Sequence, residues 1–164
     1  MMKEQSKFRF TPEMVQIVPA QKMDLPELVK LERQCFSDPW SLSGFEAAQK
    51  YSYSTMLLAK LGDTVAGYCC LYHIMDEGEI VNIAVAPDFC RAGIGTKMLA
   101  SLLEKGRGQG VTRFLLDVRF SNLAAIRLYE KAGFKKIAVQ KNFYENPAED
   151  AWLMELKALR DIVE

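Results

Sequence analysis

The sequence predicts a mixed α/β fold in a single domain, and three of its features predict it. Residues 55–60, 64–73 and 79–85 are β-branched and aromatic runs parted only by Gly62-Asp63 and Asp76-Glu77-Gly78, as in an antiparallel meander. After them come a helical pattern, a strand pattern and a second helical pattern, which make a strand-helix-strand crossover in the middle of the chain. The 164 residues, 49% of them hydrophobic, suffice for one packed core without disulfides or structural metal.

Residues 1–13 carry little apolar periodicity and read as a loosely held extension to a domain spanning 14–158, with 159–164 as a tail. Val15, Ile17 and Val18 suggest a short first strand. Asp24 and Glu27 stand at capping-box spacing before a helix, whose stripe of Leu25, Leu28, Val29, Leu31, Cys35 and Phe36 runs until Asp38-Pro39 stops it. Ser43 and Glu46 repeat the capping spacing, which leaves Asp38-Pro39-Trp40-Ser41 as an aromatic loop between two helices. After the meander, Pro87 ends a strand. Ile94, Met98, Leu99, Leu102 and Leu103 then mark a helix that stops among Gly106, Gly108 and Gly110. Residues 113–118 read as a strand and 122–132 as a helix closed by Gly133. Residues 134–139 and 151–156 read as two last strands joined through Asn146-Pro147.

Lysine plus arginine (21) balance aspartate plus glutamate (21), so no global field favours nucleic acid or an anionic membrane surface. Cys35, Cys69, Cys70 and Cys90 lack metal-site spacing, and Cys69 and Cys70 point to opposite faces of a strand; free thiols in a reducing cytosol are the expectation, with no metal. No apolar run is long enough to span a bilayer and the first residues are too polar for a signal peptide, so the expected location is cytoplasmic. His73, the only histidine, has no partner at metal or nucleophile spacing and reads as structural.

The chemistry concentrates in Asn82-Ile83-Ala84-Val85-Ala86-Pro87-Asp88-Phe89-Cys90-Arg91-Ala92-Gly93-Ile94-Gly95-Thr96, a strand feeding a two-glycine turn and a helix start. Glycine lets backbone N–H groups approach an anion, and the first helical turn adds unpaired donors at the positive end of the helix dipole, so a phosphate suits the place. Taken alone, the two glycines fit a ligand-free tight turn better, and the signal is weak until the rest of the chain is added.

Together with Asp117-Val118-Arg119-Phe120-Ser121-Asn122-Leu123-Ala124-Ala125-Ile126-Arg127-Leu128-Tyr129-Glu130-Lys131-Ala132-Gly133-Phe134, this run resembles the GNAT acetyltransferase superfamily. Within it the chain is most similar to the RimI-type enzymes that acetylate the N-terminal alanine of a small-subunit ribosomal protein. The resemblance implies a mostly antiparallel, splayed mixed sheet of six to seven strands flanked by about four helices. It implies acetyl-CoA as co-substrate, its pantetheine arm along Ile83, Ala84 and Val85, and an N–H near Val85 facing the thioester oxygen. It further implies pyrophosphate on Arg91, Ala92, Gly93, Ile94, Gly95 and Thr96, a cofactor contact from Asn122, and acceptor contacts from Pro39, Trp40 and Tyr144 in the loop and in Asn142-Phe143-Tyr144. Cys90 departs from the family, which usually has Gln or Arg there.

An α-amino group titrates near ~8 and lysine near ~10.4, so an N-terminal acceptor is the easier amine to deprotonate and a modest base suffices. Asp117 matches the family's base, normally glutamate, while Glu79 matches a base position used elsewhere in the superfamily; both stay open. Tyr129 matches the general acid, although its helical spacing from Ile126 also fits a core aromatic. Asp117 equally fits a brace for the loop before Asn122, Glu79 a solvated strand-end charge and Trp40 a core anchor. Direct attack by the amine is expected, since nothing in the sequence pairs Cys90 with a base. Three functions follow: acetylation of a ribosomal protein's N-terminal alanine, acetylation of other protein N-termini or a small amine, or CoA binding without turnover. The expected partner is a protein substrate, with no nucleic acid or membrane, and the expected state a monomer or weak dimer.

Overall fold

The computed structural model describes residues 10–157. Seven strands, β1 (Gln16–Pro19), β2 (Ser54–Leu61), β3 (Thr64–Ile74), β4 (Glu77–Val85), β5 (Arg113–Arg119), β6 (Lys135–Tyr144) and β7 (Glu149–Lys157), form one sheet in the order β1-β2-β3-β4-β5-β7-β6. Four α-helices flank it: α1 (Leu25–Cys35), α2 (Leu42–Lys50), α3 (Ile94–Gly108) and α4 (Leu123–Lys131). Most neighbours are antiparallel; β4 and β5 run parallel and pair only from Glu77↔Arg113 to Glu79↔Leu115. A register shift between Cys70 and Leu71 leaves Val81 as the extra residue of β4, since Leu71 faces Ile80 and Cys70 faces Asn82. Such a bulge bends and twists its strand, and here it sits where β4 leaves β5. The sheet therefore opens between residues 80–85 and the second half of β5.

Alternation along the strands divides the core into two layers. Leu57, Cys69, Leu71, Ile80, Phe114, Leu116 and Met154 pack on the side of α3 and α4, while Met56, Leu58, Tyr68 and Cys70 pack on the side of α1 and α2. Cys69 and Cys70 do face opposite layers, and all four cysteines are free thiols. Helix α3 buries Ile94, Met98, Leu99, Leu102 and Leu103, each stabilising the fold by roughly 1.5–3 kcal/mol. That outweighs the ~1 kcal/mol cost of glycine inside the helix at Gly106. A Cβ at Gly106 would stand 2.6 Å from a ring carbon of Phe114, so glycine there sets how closely α3 approaches β5.

Three local readings of the sequence are corrected. Asp24 does not cap α1: its carboxylate accepts from Gln21 N–H at 2.8 Å and closes a 3₁₀ turn, and Glu27 pairs with Lys30 on the surface. Helix α2 is capped by Ser41, whose hydroxyl accepts from Gly44 N–H at 3.1 Å, so the helix starts at Leu42 and Ser43 lies inside it. Helix α4 starts at Leu123 with Asn122 as its cap. Of the segment read as an extension, residues 1–9 lie outside the described residues, as does the tail, 159–164. Phe10 packs against Phe89 at 4.9 Å between ring centroids, and Lys97 Nζ donates to Pro12 O at 2.8 Å.

Candidate active site

The opening between β4 and β5 is a cleft of about 360 Å³. Strand β4 supplies Ile80, Val81, Asn82 and Ile83, and β5 supplies Asp117, Val118 and Arg119. Asn122, Ala125 and Tyr129 close one wall; Glu32, Phe36, Asp38, Trp40 and Tyr144 close the other end. Backbone alternation explains what β4 offers the cleft. Ala86 N–H donates to Ala66 O at 2.8 Å, toward β3, so the N–H and C=O of Val85 point the opposite way, into the parted side. The Val85 carbonyl there accepts the Cys35 thiol at 3.4 Å.

At the end of β4 the chain turns into α3. Arg91 (φ 64°) and Gly93 (φ 81°) are both left-handed, and Gly93 is the residue before the helix. Lys97 N–H closes the first helical hydrogen bond, onto Gly93 O at 3.1 Å, which leaves the amides of Ile94, Gly95 and Thr96 with no carbonyl beneath them. These donors and the positive end of a 15-residue helix make an anion cradle of backbone atoms. Cys90 is exposed and folds back over the carbonyls of Val85 and Ala86, at 3.8 and 3.5 Å, so its side chain adds no cation to the cradle.

Of the two carboxylates, only Asp117 lines the cleft. Gln140 Nε2 donates to Asp117 Oδ1, and burial nonetheless holds the carboxyl above its ordinary range. This partner corrects the alternative that Asp117 braces the loop before Asn122. Glu79 is exposed on the surface, and its carboxyl is raised by desolvation first and then by repulsion from Asp117 and Glu77. Tyr129 is 5% exposed, and desolvation pushes its phenol up. Its ring packs with Phe134 in the α3–α4 layer while the residue borders the cleft, so it is core aromatic and cleft wall at once. Asn122 also serves twice: its side-chain oxygen accepts from Ala125 N–H at 3.2 Å, and the residue lines the cleft.

Trp40 and Tyr144 stand on the cleft, whereas Pro39 is exposed and outside it. Tyr144 is raised to about 12, by desolvation first and by Asp117 next. Glu32, Asn82 and Arg119 also line the cleft; Glu32 lies outside both runs quoted from the sequence, and Asn82 and Arg119 lie within them with no role of their own assigned there. Glu32 interrupts the apolar stripe of α1 at a buried position, a signal that periodicity carries once the helix is in register. Nothing in the spacing of Arg119 announces its contact with the β6–β7 turn. Among the described residues no group of three His, Cys, Asp or Glu side chains could hold a metal ion, and no helix is long and apolar enough to cross a membrane.

A sheet parted at its parallel pair, with an anion cradle at the mouth and a carboxylate and phenol on the cleft, can hold a phosphate-bearing ligand along β4 and move a proton beside it. The sequence pattern of the acetyltransferase (GNAT) family matches residues 25–134, and the chain belongs to that family. It is 36% identical over 135 residues to the [ribosomal protein bS18]-alanine N-acetyltransferase of Salmonella typhimurium, covering 81% of this chain and 90% of that one. The crystal structure of the ribosomal-protein-S18-alanine N-acetyltransferase from Escherichia coli superposes with a TM-score of 0.83 at 29% identity, over 92% of this chain and 98% of that one. A Salmonella typhimurium protein solved with its cofactor acetyl-CoA shares the fold, with a TM-score of 0.75 at 20% identity over 92% and 97% of the two chains.

Proposed function

We propose that the protein transfers acetyl from acetyl-CoA to the N-terminal amine of a ribosomal protein, with alanine as the acceptor residue. The observation that carries this reading is the meeting of Asp117, Tyr129, Trp40 and Tyr144 on one cleft between the parted strands. The relatives named above, which cover most of this chain, act on the same kind of acceptor according to their names. Acetyl-CoA fits the site chemically: the pyrophosphate suits the amides of residues 93–96, the pantetheine amides suit the unpaired edge at Ile83 and Val85, and Asn122 retains an amide N–H₂ for the arm.

In this mechanism the neutral amine attacks the thioester carbon as Asp117, directly or through one water, takes the proton that the nitrogen sheds. Val85 N–H stabilises the oxyanion. The C–S bond then breaks, and Tyr129 donates to the leaving sulfur; its raised pKa keeps it protonated until that sulfur departs. The products are the N-acetylated chain and CoA thiol. Asp117 is preferred to Glu79 as base because it borders the cleft. Trp40 and Tyr144 flank the acceptor's first residues, and Pro39 shapes the loop without touching them. The protein works in the cytoplasm as a monomer or weak dimer. The test is to offer acetyl-CoA with peptides differing only in their first residue and to identify products by mass spectrometry. Preferred acetylation of alanine at the α-amine is the expected outcome, and no product from any peptide removes the reading.

A further inference from the structure

Glu32 is 1% exposed, and no lysine or arginine pairs with it among the described residues. All its partners are neutral donors. Tyr68 O–H and Asn82 Nδ2 both donate to Oε1, Asn82 Nδ2 also reaches Tyr68 Oη at 2.6 Å, and the backbone N–H of Trp40 donates to Oε2 at 3.0 Å. Burial raises the carboxyl, and the three hydrogen bonds oppose that rise. A carboxyl buried without a counter-ion costs stability, so packing alone does not call for it. What it supplies is an acceptor on each of its two oxygens. One oxygen holds β4 beside its bulge, through Asn82; the other holds the aromatic loop between α1 and α2, through the main chain of Trp40. These are the two walls of the cleft at its acceptor end.

We propose that Glu32 is a positioning residue for the acceptor, fixing the Trp40 loop against β4 and so setting the width of the cleft where the acceptor's first residue sits. The inference rests on the acceptor reading of that loop. A carboxamide accepts on one oxygen only, so glutamine can satisfy β4 or Trp40 N–H but not both. Glu32→Gln keeps the side-chain shape and leaves the anion cradle 93–96 untouched. It loosens the loop selectively. Glu32→Asp keeps both acceptor oxygens and withdraws them by one methylene, so it falls between the two.

Two measurements test this. In wild-type protein, hydrogen exchange followed by NMR should find the Trp40 amide protected and, in Glu32→Gln, exchanging at least about tenfold faster; an unprotected Trp40 amide in wild type overturns the proposal without any variant. With an alanine-first peptide and acetyl-CoA, Glu32→Gln should raise the peptide KM about tenfold and narrow the preference for alanine over serine, while the KM for acetyl-CoA stays within about twofold. Equal loss toward both substrates, or unchanged peptide KM, overturns it. Wild-type protein that acetylates no peptide removes the proposed function instead, and the exchange measurement still decides the role of Glu32.

Discussion

The Arg119 guanidinium lies over the Tyr144 ring, 4.3 Å from its centroid, and the same side chain fastens the turn that follows Tyr144. Nη1 donates to Pro147 O at 2.9 Å and to Glu149 Oε1 at 3.3 Å, and Nη2 donates to Glu145 O at 3.0 Å. Glu149 in turn accepts from Ser121 N–H at 2.7 Å, so the end of β5 and the β6–β7 turn are one hydrogen-bonded unit. A planar fork is required to reach two carbonyls and a carboxylate while stacking on a ring; lysine cannot do it. Arg119→Lys should therefore raise the KM for a peptide acceptor by about tenfold and change acetyl-CoA affinity little. Steady-state kinetics varying each substrate in turn checks this.

Tyr129 packs in the core and is the proposed proton donor, and removing only its hydroxyl separates the two. The ring against Phe134 supplies the packing, and Tyr129→Phe preserves it. With no proton donor for the leaving sulfur, kcat should fall by about 10²-fold or more, while calorimetric affinity for acetyl-CoA and the melting temperature stay close to wild type. An unchanged kcat would assign Tyr129 to packing alone.

Most of this fold was legible because its signals are local. The meander turn at Gly62, the α3 stripe from Ile94 to Leu103 and the glycine at 133 each announce themselves within a few residues, whereas the second meander turn falls at Met75-Asp76 and Gly78, read as part of it, lies inside β4. Helix starts were less legible because Ser, Asp and Asn can cap from several offsets: Ser41 won over Ser43, and Asp24 served a 3₁₀ turn. The site divided the same way. Asp117, Tyr129, Trp40 and Tyr144 came from the family resemblance and converge on the cleft. The roles of Glu32 and Arg119 depend on partners 50 and 28 residues away in sequence, at Asn82 and Pro147, which no spacing rule reaches. The β4 bulge is equally silent in sequence, since an extra strand residue shows only against its partner.

Gly93 is where backbone conformation and the proposed anion site meet. At φ 81° a side chain is strained, and a Cβ there would stand 3.0 Å from Pro12 Cγ. Gly93→Ala should cost about 1–2 kcal/mol from the left-handed backbone alone, lowering the melting temperature by about 2–4 °C for each kcal/mol. Because the same turn aims the amides of Ile94, Gly95 and Thr96, affinity for acetyl-CoA should fall in parallel, by about tenfold. Thermal melts and calorimetry on one preparation test the pair of effects, and a loss of stability with intact affinity would detach the turn from cofactor binding.

The identity of the base is open to a pH experiment because the two carboxyls are raised differently: Asp117 by burial against its Gln140 hydrogen bond, and Glu79 by desolvation first and then by the charges of Asp117 and Glu77. A base acts ionised, so kcat/KM must climb as pH rises through its pKa, and burial places that limb for Asp117 above the ordinary carboxylate value of ~3.9. Glu79→Gln leaves both influences on the Asp117 carboxyl, burial and the Gln140 hydrogen bond, in place, so the limb should stay where it is with kcat nearly unchanged. Asp117→Asn should abolish the limb and lower kcat by about 10²-fold or more, leaving only the rise near ~8 that belongs to the acceptor amine. Stability supplies an independent sign. A carboxyl whose folded pKa is raised binds its proton more tightly in the native state, so it does not affect stability below the unfolded value. Its ionisation then lowers stability as pH rises from that value through the raised one. Wild-type protein should accordingly lose stability relative to Asp117→Asn across that window in denaturant melts taken at stepped pH. A limb that vanishes in Glu79→Gln and survives in Asp117→Asn would transfer the role of base to Glu79.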